Sequence, residues 1–213
     1  MARYDLLIFD FDGTLVDTAL DIAFHVNAVL AEFGRPERTL KEIQRAIGRG
    51  MRELLKDVGF AEGDIQLEAA AAQLRKRYAE SPILQTRAYA GVPEILSGSL
   101  KDFPKAIVTN KPQFLAEKIL RALNLERYFG LVIGDGAGFP RKPDPASVCH
   151  ALNHFSARPE RTLLFGDSCV DHQTALNSGV GFVWADYGYD DVLARRTDLR
   201  RSAGPGDWAG HVF

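Results

Sequence analysis

Two aspartates stand two residues apart in Phe9-Asp10-Phe11-Asp12-Gly13-Thr14, directly after the apolar run Leu6–Phe9. Side chains two apart on extended chain point the same way, so Asp10 and Asp12 can converge on one ligand. One carboxylate can then serve as a nucleophile and the other as proton donor and acceptor. A solvated turn rich in Asp and Gly is the plain alternative, and the pair alone does not exclude it. Further along, Thr109-Asn110 offers a hydroxyl and an amide able to hold phosphoryl oxygens. Lys142 lies in Arg141-Lys142-Pro143-Asp144-Pro145, a loop stiffened by its prolines. A fixed ammonium there could neutralise both a nucleophilic carboxylate and a phosphoryl group. Asp167 and Asp171, in Gly166-Asp167-Ser168-Cys169-Val170-Asp171, would join Asp10 in a hard, oxygen-rich site suited to Mg²⁺. Singly, Asp171 reads as a helix cap and Lys142 as a surface ion pair. Four such groups in this order read as one site that handles a phosphoryl group.

Such a site needs a scaffold that gathers distant strand ends. Five short apolar runs predict buried strands: Leu6–Phe9, Lys105–Val108, Leu131–Gly134, Thr162–Phe165 and Gly181–Trp184. They lack polar alternation, as strands covered on both faces do. Helical spacing fills the intervals: Phe114, Leu115, Ile119 and Leu123; then a helix capped by Asp144 and opened by Pro145; then one from near Asp171 to Gly179. The alternation implies a parallel sheet wrapped by helices, with ligands at the carboxyl ends of its strands. The interval after the first strand is too long for one crossover. Helical stretches at 18–33, 39–47, 51–58 and 64–80 predict an all-helical insert there. Its exit falls between Ser81-Pro82 and Gly91-Val92-Pro93. The expected division is a core of residues 1–16 and 84–213 with a helical cap at 17–83.

The series Asp-x-Asp-Gly-Thr, Thr-Asn, Lys-Pro and Gly-Asp-Ser-x-x-Asp resembles the haloacid dehalogenase superfamily over essentially the whole chain. That resemblance implies a three-layer, Rossmann-like α/β core with a five-stranded parallel sheet in the order 5-4-1-2-3. It implies that Asp10 is the nucleophile, forming an aspartyl-phosphate, and that Asp12 is the general acid–base. Thr109 takes the phosphate-binding position and Lys142 the lysine beside the nucleophile. The implied Mg²⁺ ligands are Asp167, the Asp10 carboxylate and the Asp12 backbone carbonyl, with Asp171 supporting the metal through water or orienting Lys142. A carboxylate at position 12 disfavours the halide- and phosphonate-cleaving members, which need no acid there. Phe9–Thr18 and Tyr187-Gly188-Tyr189 are similar to phosphoglycolate phosphatases. In Ile47-Gly48-Arg49-Gly50, similar to a loop that closes over substrate, Arg49 is placed either to meet a substrate carboxylate or to face water.

The expected activity is therefore magnesium-dependent hydrolysis of a small phosphorylated metabolite. A phosphosugar mutase and a non-catalytic binding protein on the same fold are the alternatives. A formal net charge of −2 gives no reason for a nucleic-acid or anionic-membrane partner. No segment approaches a bilayer-spanning length, and the apolar run near Met1 is too short for a signal peptide, so the chain reads as cytoplasmic. Arg195, Arg196, Arg200 and Arg201 read as a solvated helix face, and the stretch from Ser202 to Phe213 has no account.

Overall fold

The computed structural model describes residues 4–81 and 83–213. The expected insert exit at Pro82 and the extreme N-terminus lie outside the described residues. The chain runs through β1 (Leu6–Phe9) and β2 (Val16–Asp17) into four helices, α1 (Ala19–Glu32), α2 (Leu40–Ala46), α3 (Met51–Val58) and α4 (Leu67–Glu80). It returns through β3 (Arg87–Ala88) and α5 (Val92–Ser97). Strands and helices then alternate: β4 (Lys105–Pro112), α6 (Gln113–Ala122), β5 (Leu131–Asp135), α7 (Ala146–Phe155), β6 (Thr162–Gly166), α8 (Cys169–Ser178) and β7 (Gly181–Ala185). A last strand, β8 (Arg200–Ser202), and helix α9 (Trp208–Val212) follow.

The main sheet is wholly parallel, with β1 between β4 and β6. β1 is buried along its whole length, so its apolar run satisfies two helical layers at once. The sheet has six strands in the order β5-β4-β1-β6-β7-β8, not the expected five strands in the order 5-4-1-2-3. The expected numbers counted only apolar runs, whereas β2 and β3 pair outside this sheet and β8 is polar. Val183, Trp184 and Ala185 of β7 align with Arg200, Arg201 and Ser202, so two arginines expected on a helix face form an edge strand. Charged edges are common because they discourage further pairing, and their lack of apolar residues hides them from a hydrophobic-run search. Arg201 also lies over the Trp184 ring, 4.7 Å from its centroid.

The segment from Ser202 onward contributes Trp208 and Val212 to the core. Trp208 is fully buried, its ring 5.0 Å from that of Phe9 and 5.5 Å from that of Phe165. It thus wedges against the two strands that carry Asp10 and Asp167. No helix among the described residues is long and apolar enough to cross a membrane.

The four-helix insert hangs on a narrow neck. β2 and β3 pair antiparallel, Val16 with Ala88 and Asp17 with Arg87, too briefly to show in the sequence. Asp21, buried in the first turn of α1, accepts from the backbone N–H groups of Leu84, Gln85 and Thr86 and from the Thr86 hydroxyl. Burial opposes the charge, but these four donors outweigh it and hold the carboxyl below its ordinary range.

Candidate active site

Four strand ends deliver the polar groups, and two local devices fix them. Ser168 caps α8 through a reciprocal box: its hydroxyl accepts from the Asp171 N–H while Asp171 accepts from the Ser168 N–H. The helix therefore begins at Cys169, with Asp171 in its first turn. Likewise α7 starts at Ala146, one residue later than expected, with Asp144 accepting the Ala146 N–H. Around Asp167, two glycines leave the necessary room. A Cβ at Gly13, where φ is +82°, would lie 2.2 Å from Asp167 Oδ2, and one at Gly188 would lie 2.2 Å from the Asp167 Cβ. The Tyr189 N–H donates to Asp167 Oδ2 at 2.8 Å, and the Trp184 indole donates to its carbonyl at 3.0 Å.

Lys142 is the centre of charge. Its ammonium donates to Asp10 Oδ1 at 2.7 Å and to Asp171 Oδ1 at 2.6 Å, and all three groups are buried. Burial alone would drive the ammonium towards neutrality, but the two carboxylates more than compensate and hold it charged. Carboxylate oxygens of Asp10, Asp167 and Asp171 all lie within 4.8 Å of one another. Burial, and then the charge of Asp171, raises the Asp10 carboxyl above its ordinary value; Asp167 is raised for the same reasons, with Asp10 contributing. One ammonium does not balance three buried carboxylates. A hard divalent cation with oxygen ligands would, so the donor set fits Mg²⁺. The Asp12 carboxylate is not part of this cluster.

The Asp12 carboxylate is held elsewhere. Its Oδ1 accepts from the Thr18 hydroxyl at 2.6 Å and from Lys111 Nζ at 2.9 Å. Lys111 was not anticipated, although it stands two residues after Thr109 on a strand, a spacing that puts both on one side. Its ammonium also donates to the Tyr78 hydroxyl at 3.0 Å and lies 4.5 Å from that ring's centroid. Tyr78 belongs to the helical insert, so this contact joins insert and sheet. Burial opposes the Lys111 charge, but Asp12 and the Tyr78 hydroxyl outweigh it. Tyr189, too, does more than neighbour Asp167: its hydroxyl donates to Asp17 and accepts from the N–H groups of Thr18 and Ala19.

The three residues expected to contact substrate are placed in three different ways. Thr109 is buried at the site; its hydroxyl oxygen accepts the Lys111 N–H, and its own hydrogen has no acceptor among the described residues. The Asn110 amide is fully committed as a strut: it donates to the carbonyls of Gly48 and Lys142 and accepts from the Lys142 N–H. It therefore positions the lysine loop and the insert loop, with no N–H left over for a phosphoryl oxygen. Arg49 is half-exposed and forms an ion pair with Asp57 on α3, whereas its neighbours Gly48 and Gly50 line the cavity over Asp10. That cavity, about 40 Å³, lies between the insert and the sheet and reaches Asp10, Asp12, Thr109 and Lys111.

Comparison with known proteins gives the family. The family profile described as haloacid dehalogenase-like hydrolase matches residues 7–185. The chain is 34% identical to a phosphoglycolate phosphatase of Aquifex aeolicus over 91% of its own length and 94% of the relative's. It is 38% identical to one of Nitrosospira multiformis, covering 87% and 84%. A crystal structure from Haemophilus somnus 129PT, described as a predicted phosphoglycolate phosphatase, superposes with a TM-score of 0.89 over the whole of both chains at 25% identity. The chain belongs to the haloacid dehalogenase-like hydrolases, beside relatives named phosphoglycolate phosphatases.

Proposed function

We propose that this protein is a magnesium-dependent phosphatase that hydrolyses a small phosphate monoester, of the phosphoglycolate type, through an aspartyl-phosphate on Asp10. The observation that carries this reading is the separation of two carboxylates only two residues apart. Asp10 sits in the acidic cluster beside Lys142, where an anionic phosphoryl group can be approached. Asp12 sits outside it, in contact with a hydroxyl and an ammonium, free of the cluster and open to the cavity. One is placed to attack, the other to move a proton.

In the first half-reaction the Asp10 oxygen forms a bond to phosphorus while the bond from phosphorus to the ester oxygen breaks. Asp12 gives its proton to that departing oxygen, which leaves as an alcohol. Lys142 stays fixed between Asp10 and Asp171 and offsets charge on the phosphoryl oxygens, and the Thr109 hydroxyl donates to one of them. In the second half-reaction Asp12 takes a proton from water as it attacks, phosphate leaves, and the Asp10 carboxylate is restored. Asp10 and Asp167 would hold Mg²⁺, with Asp171 at hand beside Lys142, and the ion would add the positive charge that the buried carboxylates lack.

Purified protein should release inorganic phosphate from 2-phosphoglycolate with Mg²⁺ present and stop when the metal is chelated. Release that continues undiminished in excess chelator would refute the metal requirement, and no release from any ester of a small panel would refute the activity. The role of Asp12 has its own signature. Asp12→Ala should slow alkyl phosphates by about 10²–10⁴-fold, the usual worth of general acid–base catalysis, but activated aryl phosphates far less in the first half-reaction. That contrast is read from the burst of released phenol or alcohol. Equal losses across a leaving-group series would remove Asp12 from the proton-donor role.

A further inference from the structure

Resting on the phosphomonoesterase reading above, we infer that Lys111 is the specificity residue that binds a carboxylate on the leaving side of the substrate. The cavity between insert and sheet has one cation among its lining residues, and it is Lys111. The rest of its wall on the insert side is apolar, built from Ile22, Ile47, Met51, Leu54 and Leu74, with the Tyr78 ring and hydroxyl. Arg49 is turned away to Asp57, and the Asn110 amide is spent on backbone carbonyls. An anionic group on the leaving alcohol thus finds one cation in this wall, the Lys111 ammonium.

Donor arithmetic leaves room for it. An ammonium has three N–H donors, and among the described residues Lys111 uses one on Asp12 and one on Tyr78. A buried ammonium short of counter-charge is costly, and among the described residues the one carboxylate paired with Lys111 is Asp12, whose same oxygen also accepts from the Thr18 hydroxyl. Position agrees as well: Thr109 and Lys111 both line the cavity that reaches Asp10, and the Lys111 N–H donates to the Thr109 hydroxyl, so the two are neighbours in its wall. A phosphoryl group at Thr109 and a carboxylate at Lys111 then belong to one short hydroxy acid ester. The small volume and apolar wall favour a carboxylate over a second phosphate.

The test compares equilibrium binding of 2-phosphoglycolate with that of its neutral isostere, phosphoglycolamide, by titration calorimetry. Asp10→Asn protein is used throughout, so that neither ester turns over. The reference protein should prefer the carboxylate by about tenfold or more, the worth of a charged hydrogen bond in a dry site. Adding Lys111→Met should bring that preference close to unity, and adding Lys111→Arg should keep most of it. A Lys111→Met protein that weakens both ligands equally and keeps the preference would overturn the inference, leaving Lys111 a support for Asp12. Absence of any preference in the reference protein would overturn it without recourse to a variant. So would tighter binding of ethylene glycol bisphosphate, which would make the anion a phosphate. If Lys111→Met does not fold, Lys111→Gln replaces it with the same expectation. Failure of the wild-type protein to release phosphate from either ester, with the binding preference intact, would count against the phosphatase reading and leave this inference standing.

Discussion

Replacing Asp10 by asparagine should reduce turnover of every phosphate ester by at least about 10⁴-fold, the scale on which loss of a covalent nucleophile is felt. The amide is nearly isosteric, so packing against β1 is preserved. What it removes is the carboxylate nucleophile and the charge opposite Lys142, which donates to Asp10 Oδ1 at 2.7 Å. Because three buried carboxylates crowd this point, removing one charge also relieves repulsion with Asp167 and Asp171. The variant should therefore melt at a temperature equal to or above that of the wild type while being inactive. Steady-state phosphate release, with a thermal melt on the same sample, checks both halves. Activity within a hundredfold of wild type in material free of carry-over would exclude Asp10 as nucleophile. Inactivity with a lowered melting temperature would leave the catalytic role unproved, since misfolding would account for it.

The largest effect on stability is expected far from the chemistry. Trp208→Ala should destabilise the protein by about 3–5 kcal/mol, the range for truncating a fully buried large aromatic. Trp208 has no exposed surface and touches the rings of Phe9 and Phe165, which themselves stack at 4.9 Å between centroids. Removing it leaves a cavity under the strands that end in Asp10 and Asp167. Chemical denaturation should show a lower midpoint with a similar slope. Trp208→Phe should recover much of the loss. A change below 1 kcal/mol on alanine substitution would mean that this segment is not docked in solution as it is in the structure.

What the sequence disclosed and what it hid follow from the physics of each element. β1, β4, β6 and β7 are continuous apolar runs because both faces are covered, and they read directly. The four insert helices read from their periodicity, and their ends fall within a few residues of expectation. β8 did not, because Arg200-Arg201-Ser202 has strand geometry but the composition of a solvated surface. Trp208 was hidden by a stretch of glycine and proline with no periodicity around it. At the site, the polar groups gathered by strand ends were legible because topology alone brings strand ends together. The fates of individual side chains were not. Asn110 became a strut only because Gly48 and Lys142 carbonyls approach it from distant segments. Arg49 turned outward because Asp57, on the next helix, offered an anion. Lys111 was readable only in part: a lysine inside a buried strand must find acceptors, but these can be backbone carbonyls, as they are for Lys105 in the same strand.

The paired strands β2 and β3 act mechanically as a leaf spring. A two-stranded ribbon bends readily out of its own plane and resists shear within it, and the Asp21 clamp on residues 84–86 stiffens the ribbon against fraying. The insert is thus moored at two unlike places, by this clamped ribbon and by two polar contacts over the cavity, Asn110 to the Gly48 carbonyl and Lys111 to the Tyr78 hydroxyl, and the second mooring is the one that lies across the way to Asp10.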